Sequence, residues 1–302
     1  MKILRRFYVS TQSFVRKTSS SSEKSPQQYC INLVRNHDYE NYLCTVFLRR
    51  KDQACAFAIR AFNIEVARIE GQVSQAAIGQ MRLKFWEESI DKIFNDKPPH
   101  HPVAQEIYRV VDKNALAKKH LRQLVSARAE KLTLSTFPSI DQMEKYAENT
   151  CSPIFYLLLA SCGIENINAD HAFSHLGKAQ GLTNLIRSVP HYAQKRVVVL
   201  PQDVLAKYKV SHESIIRGGC EKPQRDVVFE VASRAHSHVD KVLSLVDKVP
   251  RSLYRHLFPI VPLKGYLERL RLVDFDVFHP SLQLRDTKLA LKLFWRTVGG
   301  KL

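Results

Sequence analysis

GKAQGLTNLIRSVPHYAQKRVVVLP, residues Gly177–Pro201, decides how this 302-residue chain is read. Apolar side chains recur at three- and four-residue spacing up to Ile186, which predicts a helix over 170–186. Gln180, Asn184 and Arg187 follow one another at four and three residues, so they line one face of that helix. Amides beside an arginine can hold an anion without a metal, because the guanidinium offers a two-pronged fork to phosphate. The same groups could equally form a buried polar network that supports the fold. Pro190 and Pro201 read as stops, and the Val197–Leu200 run between them is too short and isolated to build a sheet.

Working outward, the rest of the chain is almost entirely helical in pattern. Three- and four-residue apolar spacing predicts helices over 54–69, 72–94, 103–111, 113–130, 139–162, 224–245 and 287–298. Further stops fall at Lys97-Pro98-Pro99, Pro223, Pro250, Pro259 and Pro262. Glycine is sparse, with 10 in the whole chain, which suits long helices joined by short turns. No internal repeat or second domain is visible. The expectation is an all-α, single-domain bundle over residues 35–298.

The quoted stretch resembles the second signature of the squalene/phytoene synthase family, a helix of the form QLTNILRDVGED followed by a short run like GRVYLP. Gln180, Leu182, Thr183, Asn184, Leu185, Ile186, Arg187, Val189, Leu200 and Pro201 keep that frame. Ser188 stands where the family has its first Asp, and His191 and Tyr192 stand where it has Glu and Asp. The first signature, close to YAFCRxxDDxxDE, is echoed by Arg60–Gly71. Aligned on Ala61-Phe62, it has Ala67 and Arg68 in place of the Asp pair and Gly71 in place of the later Asp. Phe47-Leu48, Ala56-Phe57-Ala58, the Arg82–Ile90 segment and Pro99–Val103 resemble other family segments, so the likeness runs from about Asp38 to about Leu293.

The resemblance implies an isoprenoid-synthase-like bundle around a central pocket. In such enzymes two acid-rich helices hold Mg²⁺, a hard cation that takes carboxylate and phosphate oxygens. With both acid sets missing, it implies a non-catalytic member that needs no cofactor. Asn63, Glu65, Arg68, Gln180, Asn184, Arg187 and Ser188 would then be a vestigial pocket. Asn63 with Glu65, and the Arg-Ser version of the second motif, look most like a mitochondrial branch of the family. That branch is implied to assist assembly of the respiratory NADH:ubiquinone oxidoreductase, complex I, on the matrix side of the inner membrane. Its partners would be subunits or other assembly factors. Two alternatives stay open: a prenyl transferase with an atypical metal site built on Glu65, Glu70 or Asp203, and a protein that binds a prenyl or lipid ligand.

The N-terminus points to mitochondria without the resemblance. Residues 1–24 carry Lys2, Arg5, Arg6, Arg16, Lys17 and Lys24 against the single acid Glu23, and are rich in serine. A basic, Ser-rich, acid-poor amphipathic segment is the composition of a transit peptide, here taken as residues 1–25. The formal charge is +17, of which +12 remains beyond residue 24. Such an excess calls for a partner or surface of opposite charge, whether nucleic acid, an anionic membrane or an acidic protein, and the mitochondrial inner membrane is anionic.

Other candidates are weaker. Arg255, Phe258 and Lys264 lie in Leu253–Leu270, where apolar residues are flanked by cations. The pattern suits an interfacial membrane or partner surface, and equally a core helix-loop-helix with solvated charges. His171 and His175 have metal-ligand spacing on one helix face but no third ligand. The basic helix at Lys118, Lys119 and Arg122 lacks the stacking aromatics of a nucleic-acid site, so nucleic acid is not an expected partner. Six cysteines show no zinc spacing and read as reduced thiols in or near the core. The longest apolar run, Ile154–Ile164, is far short of the ~20 residues a membrane-spanning helix needs.

Overall fold

The computed structural model describes residues 25–300, residues 74 and 135 excepted, and among them all regular structure is helical. The segment read as a transit peptide lies outside the described residues, apart from its last residue, Ser25. The helices are α1 (Pro26–His37), α2 (Tyr39–Val46), α3 (Arg50–Gln72), α4 (Ala76–Phe94), α5 (Pro102–Asn114), α6 (Lys118–Thr133) and α7 (Ile140–Cys162). They continue with α8 (Ile167–Gln194), α9 (Gln202–Lys207), α10 (His212–Ile216), α11 (Lys222–Leu245), α12 (Ile260–Leu272) and α13 (Leu289–Gly299). Short 3₁₀ turns at Arg251–Leu257 and Pro280–Gln283 lead towards α12 and α13.

Local chemistry sets several boundaries. Ser25, Asp38, Ser139 and Asn166 each accept a hydrogen bond from a backbone N–H three residues on, satisfying donors that a helix start leaves open. Gly163, in the left-handed region at φ 64°, closes α7.

The long pair α7–α8 is the spine. The two helices run antiparallel at backbone contact, because α8 presents Gly177 and Gly181 to Ser152 and Ala147. A Cβ at Gly177 would fall 2.5 Å from Ser152 Cα, and one at Gly181 would fall 2.6 Å from Ala147 Cα. The other side of α8 packs on α11, while α3 packs on α1, α5 and α7. One continuous core results, with Phe62, Trp86, Phe155, Phe173 and Tyr266 all buried in it. Burial of large apolar and aromatic side chains is the main favourable term in such a bundle.

Several boundaries differ from the sequence expectation: Lys113 lies in the last turn of α5 instead of opening the next helix, which starts at Lys118, and α1, α2 and α12 are helices beyond those expected. Pro190 does not stop α8, which continues to Gln194. An interior proline costs about 3 kcal/mol, but Val189 and Ala193 are buried on either side and keep the chain in helical line. Pro262 lies inside the first turn of α12, where its missing N–H has no intrahelical partner to lose. Gln72 ends α3 rather than opening α4; the chain turns extended at Val73 and resumes at Ala76.

Candidate functional site

Helices α3 and α8 form two walls of a cavity of ≈ 660 Å³. From α3 come Asn63, Ile64, Ala67 and Arg68; from α8 come Asn184, Arg187, Ser188 and His191. Both sets step by three and four residues, as one helix face must. The corner between α1 and α2 adds Asp38, Tyr39 and Glu40, α12 adds Tyr266, and the stretch from Leu282 to Leu289 closes the rim. Only five of the twenty lining residues are aliphatic or alanine, so the space suits a charged head group better than an apolar tail.

Arg187 is the best-held of these groups. Its guanidinium forms a two-pronged ion pair with Glu40, at 2.7 and 2.8 Å, and lies 4.4 Å from the Tyr266 ring centre. Burial works against its charge, but Glu40 more than offsets this and shifts its pKa upward. Asn63 accepts a hydrogen bond from Arg128 at 2.7 Å. Ser188 donates to the Leu185 carbonyl at 2.7 Å. Arg68 is half-buried and forms no ion pair among the described residues. With burial, its charge holds the neighbouring His37 below the usual imidazole range.

Two of the residues expected at the pocket are elsewhere. Glu65 does not line the cavity; it accepts a hydrogen bond from the Tyr29 hydroxyl at 3.0 Å. Gln180 is buried deeper in α8, and its Oε1 has no partner among the described residues. One turn separates it from Asn184, and the wall closes over it. Conversely Glu40, Tyr266 and the 282–286 stretch are cavity residues that periodicity does not signal. Glu40 and Arg187 are 147 positions apart, and nothing local in either segment advertises the pairing.

The donor set does not fit the Mg²⁺ of the prenyl synthases. The cavity-facing positions of α3 and α8 offer amides, a hydroxyl, an imidazole and two guanidiniums, with no carboxylate. Acids near the rim are already engaged: Asp38 by Asn41, Glu40 by Arg187 and Asp286 by Lys292. Glu70 accepts from the Tyr192 hydroxyl at 2.9 Å, and burial together with Glu70 raises that phenol's pKa. Asp203, also considered as an atypical ligand, caps the start of α7 by accepting from the Ile140 N–H. A hard dication needs free carboxylate oxygens, and the three carboxylates among the described lining residues, Asp38, Glu40 and Asp286, are each already held by another side chain.

The surface expected around Arg255, Phe258 and Lys264 is corrected. Phe258 is 2% exposed and packs in the core with Leu257 and Ile260, while Arg255 reaches back to the Phe47 carbonyl. Lys264 alone is exposed. Of the two readings that segment allowed, the structure takes the core one.

Two further clusters form at helix junctions. His175 Nδ1 lies 2.8 Å from His238 Nδ1, and His238 Nε2 lies 3.3 Å from Glu144. Burial holds both imidazoles below their usual pKa, and they meet as a hydrogen-bonded pair between α8 and α11. Asp52, Cys162 and His256 also converge. Asp52 is held by Arg49 at 2.9 Å and Cys162 sits 3.4 Å from His256 Nε2, while His256 Nδ1 is buried with no hydrogen-bond partner among the described residues. All six cysteines are free thiols, and Cys220 alone is exposed.

An all-helical, isoprenoid-synthase-like body whose two facing helices carry amides and cations defines the class. The chain belongs to the squalene/phytoene synthase family, whose sequence profile matches residues 34–289. It is 41% identical over 272 residues to NADH dehydrogenase (ubiquinone) complex I, assembly factor 6, of Bos taurus, covering 89% of this chain and 82% of the relative. It is 42% identical over 278 residues to the corresponding homolog of Drosophila melanogaster, covering 90% and 83%. Among solved structures, a ligand-bound dehydrosqualene synthase superposes with a TM-score of 0.76 over 91% of this chain and 95% of its own, at 15% identity, which establishes the shared fold alone.

Proposed function

We propose that this protein is a non-catalytic assembly factor for mitochondrial complex I, peripheral on the matrix side of the inner membrane, with a synthase fold retained as a docking body. The observation that carries the reading is the composition of the two facing walls: Ala67, Arg68, Ser188 and His191 line the cavity at the positions where, by the resemblance, ionising a prenyl diphosphate would need metal-binding acids. The names of the relatives supply the process, and the basic, Ser-rich N-terminus supplies the compartment. Residues 1–25 are proposed as the targeting segment and 35–298 as the functional body. Its partners are then subunits or other assembly factors of complex I.

A cell line lacking this protein tests the process. Assembled complex I should fall and recover on re-expression of the full chain; unchanged complex I would overturn the reading. Thermal unfolding with farnesyl diphosphate and Mg²⁺ tests the chemistry, since any ligand of the native state raises its stability by mass action. No Mg²⁺-dependent shift is expected. A shift that requires Mg²⁺ would return the protein to the enzymes. A shift without Mg²⁺ would favour the second reading, in which Arg68, without an ion pair among the described residues, and the two asparagines hold the head group of a lipid or prenyl ligand.

A further inference from the structure

Helix α13 spends one apolar face on the core and leaves a second one bare. Leu289 and Leu293 are 1% and 0% exposed, whereas Leu291, Trp295 and Val298 are 57%, 63% and 65% exposed. The second set recurs at four and three residues, so it forms a stripe rather than scattered exposure. Lys288, Lys292 and Arg296 run beside that stripe at four-residue spacing, and the helix contains no acid. Lys292 is tied to Asp286 at 2.7 Å, but Lys288 and Arg296 form no ion pair among the described residues. No described helix is long and apolar enough to cross a membrane. An apolar stripe with an interfacial tryptophan and an unbalanced row of cations is the pattern of a helix that lies in the head-group plane of an anionic bilayer. The helix starts at the cavity, where Leu289 forms part of the wall.

We infer that α13 is the membrane-contacting element of this protein, burying Leu291, Trp295 and Val298 at the boundary of an anionic lipid surface while Lys288 and Arg296 meet lipid phosphates. The inference rests on the peripheral-membrane reading above and assigns that contact to one helix.

The two tryptophans make the test direct. Trp86 is 4% exposed and packed edge-on against Phe62 and His101, so vesicle-induced changes in emission report Trp295. The full chain is mixed with phosphatidylcholine vesicles with and without cardiolipin. Sedimentation should bring it down with the cardiolipin vesicles, with a blue-shifted emission that reverses at high salt. Leu291→Glu with Val298→Glu alters only exposed positions and keeps the reporter; it should weaken partitioning by at least about tenfold. If the wild type and this variant bind cardiolipin vesicles equally, α13 is not the contact, although the membrane reading stands. If the wild type binds neither vesicle, both fall. Equal binding to neutral vesicles overturns the ionic half of the inference. A wild type that ignores vesicles but self-associates, with the variant monomeric, overturns it in favour of a contact between copies.

Discussion

Arg187 on α8 and Glu40 on α2 close a two-pronged ion pair, at 2.7 and 2.8 Å, over the face of Tyr266. The pair neutralises the strongest cation of the cavity and ties its α8 wall to the N-terminal corner. Glu40→Gln removes one partner and leaves a largely buried guanidinium short of its counter-charge. Losing a hydrogen bond to a charged group costs about 1.5–3 kcal/mol, so the urea midpoint should move down by a matching amount. An unchanged midpoint would mean the pair is a crossing of side chains with no structural weight.

The glycine seam between α7 and α8 gives a contrast of sign. Gly181→Ala forces a methyl against Ala147 backbone, and overpacking of this kind costs about 1–3 kcal/mol. Gly265→Ala, inside α12 with open space around it, should stabilise by about 0.5–1 kcal/mol through helix propensity. Thermal melts of the two variants should shift in opposite directions. If both fall, the spacing between α7 and α8 is not what glycine protects.

Burial pushes His256 down to about 4, well under the usual imidazole value. The unfolded chain therefore takes up this proton from about pH 6.5, whereas the folded one resists until about pH 4. Stability from this group is complete above pH 6.5, falls as pH drops through that window, and changes no further below pH 4. Between pH 7 and pH 5 the loss should be about 2 kcal/mol. His256→Gln should flatten the stability profile by that amount relative to wild type in denaturant titrations; parallel profiles would refute the assignment.

Restoring the acids should restore the metal. Ala67, Arg68 and Ser188 line the same cavity. The triple variant Ala67→Asp, Arg68→Asp, Ser188→Asp should gain Mg²⁺-dependent stabilisation by a prenyl diphosphate, about 1.4 kcal/mol at ten times Kd. Wild type should gain none. A triple variant as indifferent as wild type would show that the lining, and not only its charge, has departed from the synthase geometry.

Much of this was readable in the sequence, and the failures have physical causes. The α8 motif was legible because its residues are contiguous and step with the helix, and α3 followed from the same period. Glu65 and Arg68 lie three residues apart on α3, close enough that a motif alone could not say which faces the cavity. Leu253–Leu270 was ambiguous because apolar spacing reveals a buried face without saying whether core or bilayer buries it. The bare stripe of α13 was hidden for the converse reason: a helix apolar on two faces looks merely hydrophobic until packing uses one. Pro190 misled because tertiary packing outweighed a local rule.

Tyr192 stands where, by the resemblance, the family's second signature would carry an acid, and its hydroxyl donates to Glu70 between α8 and α3. A synthase has to breathe, since substrate must enter and product must leave. Here the phenol ties α8 to α3 with a direct hydrogen bond. Amides near Glu70 and Tyr192 should therefore open only with larger, cooperative unfolding events. On the docking-body reading proposed above, a partner would meet two helices pinned to one another at this point.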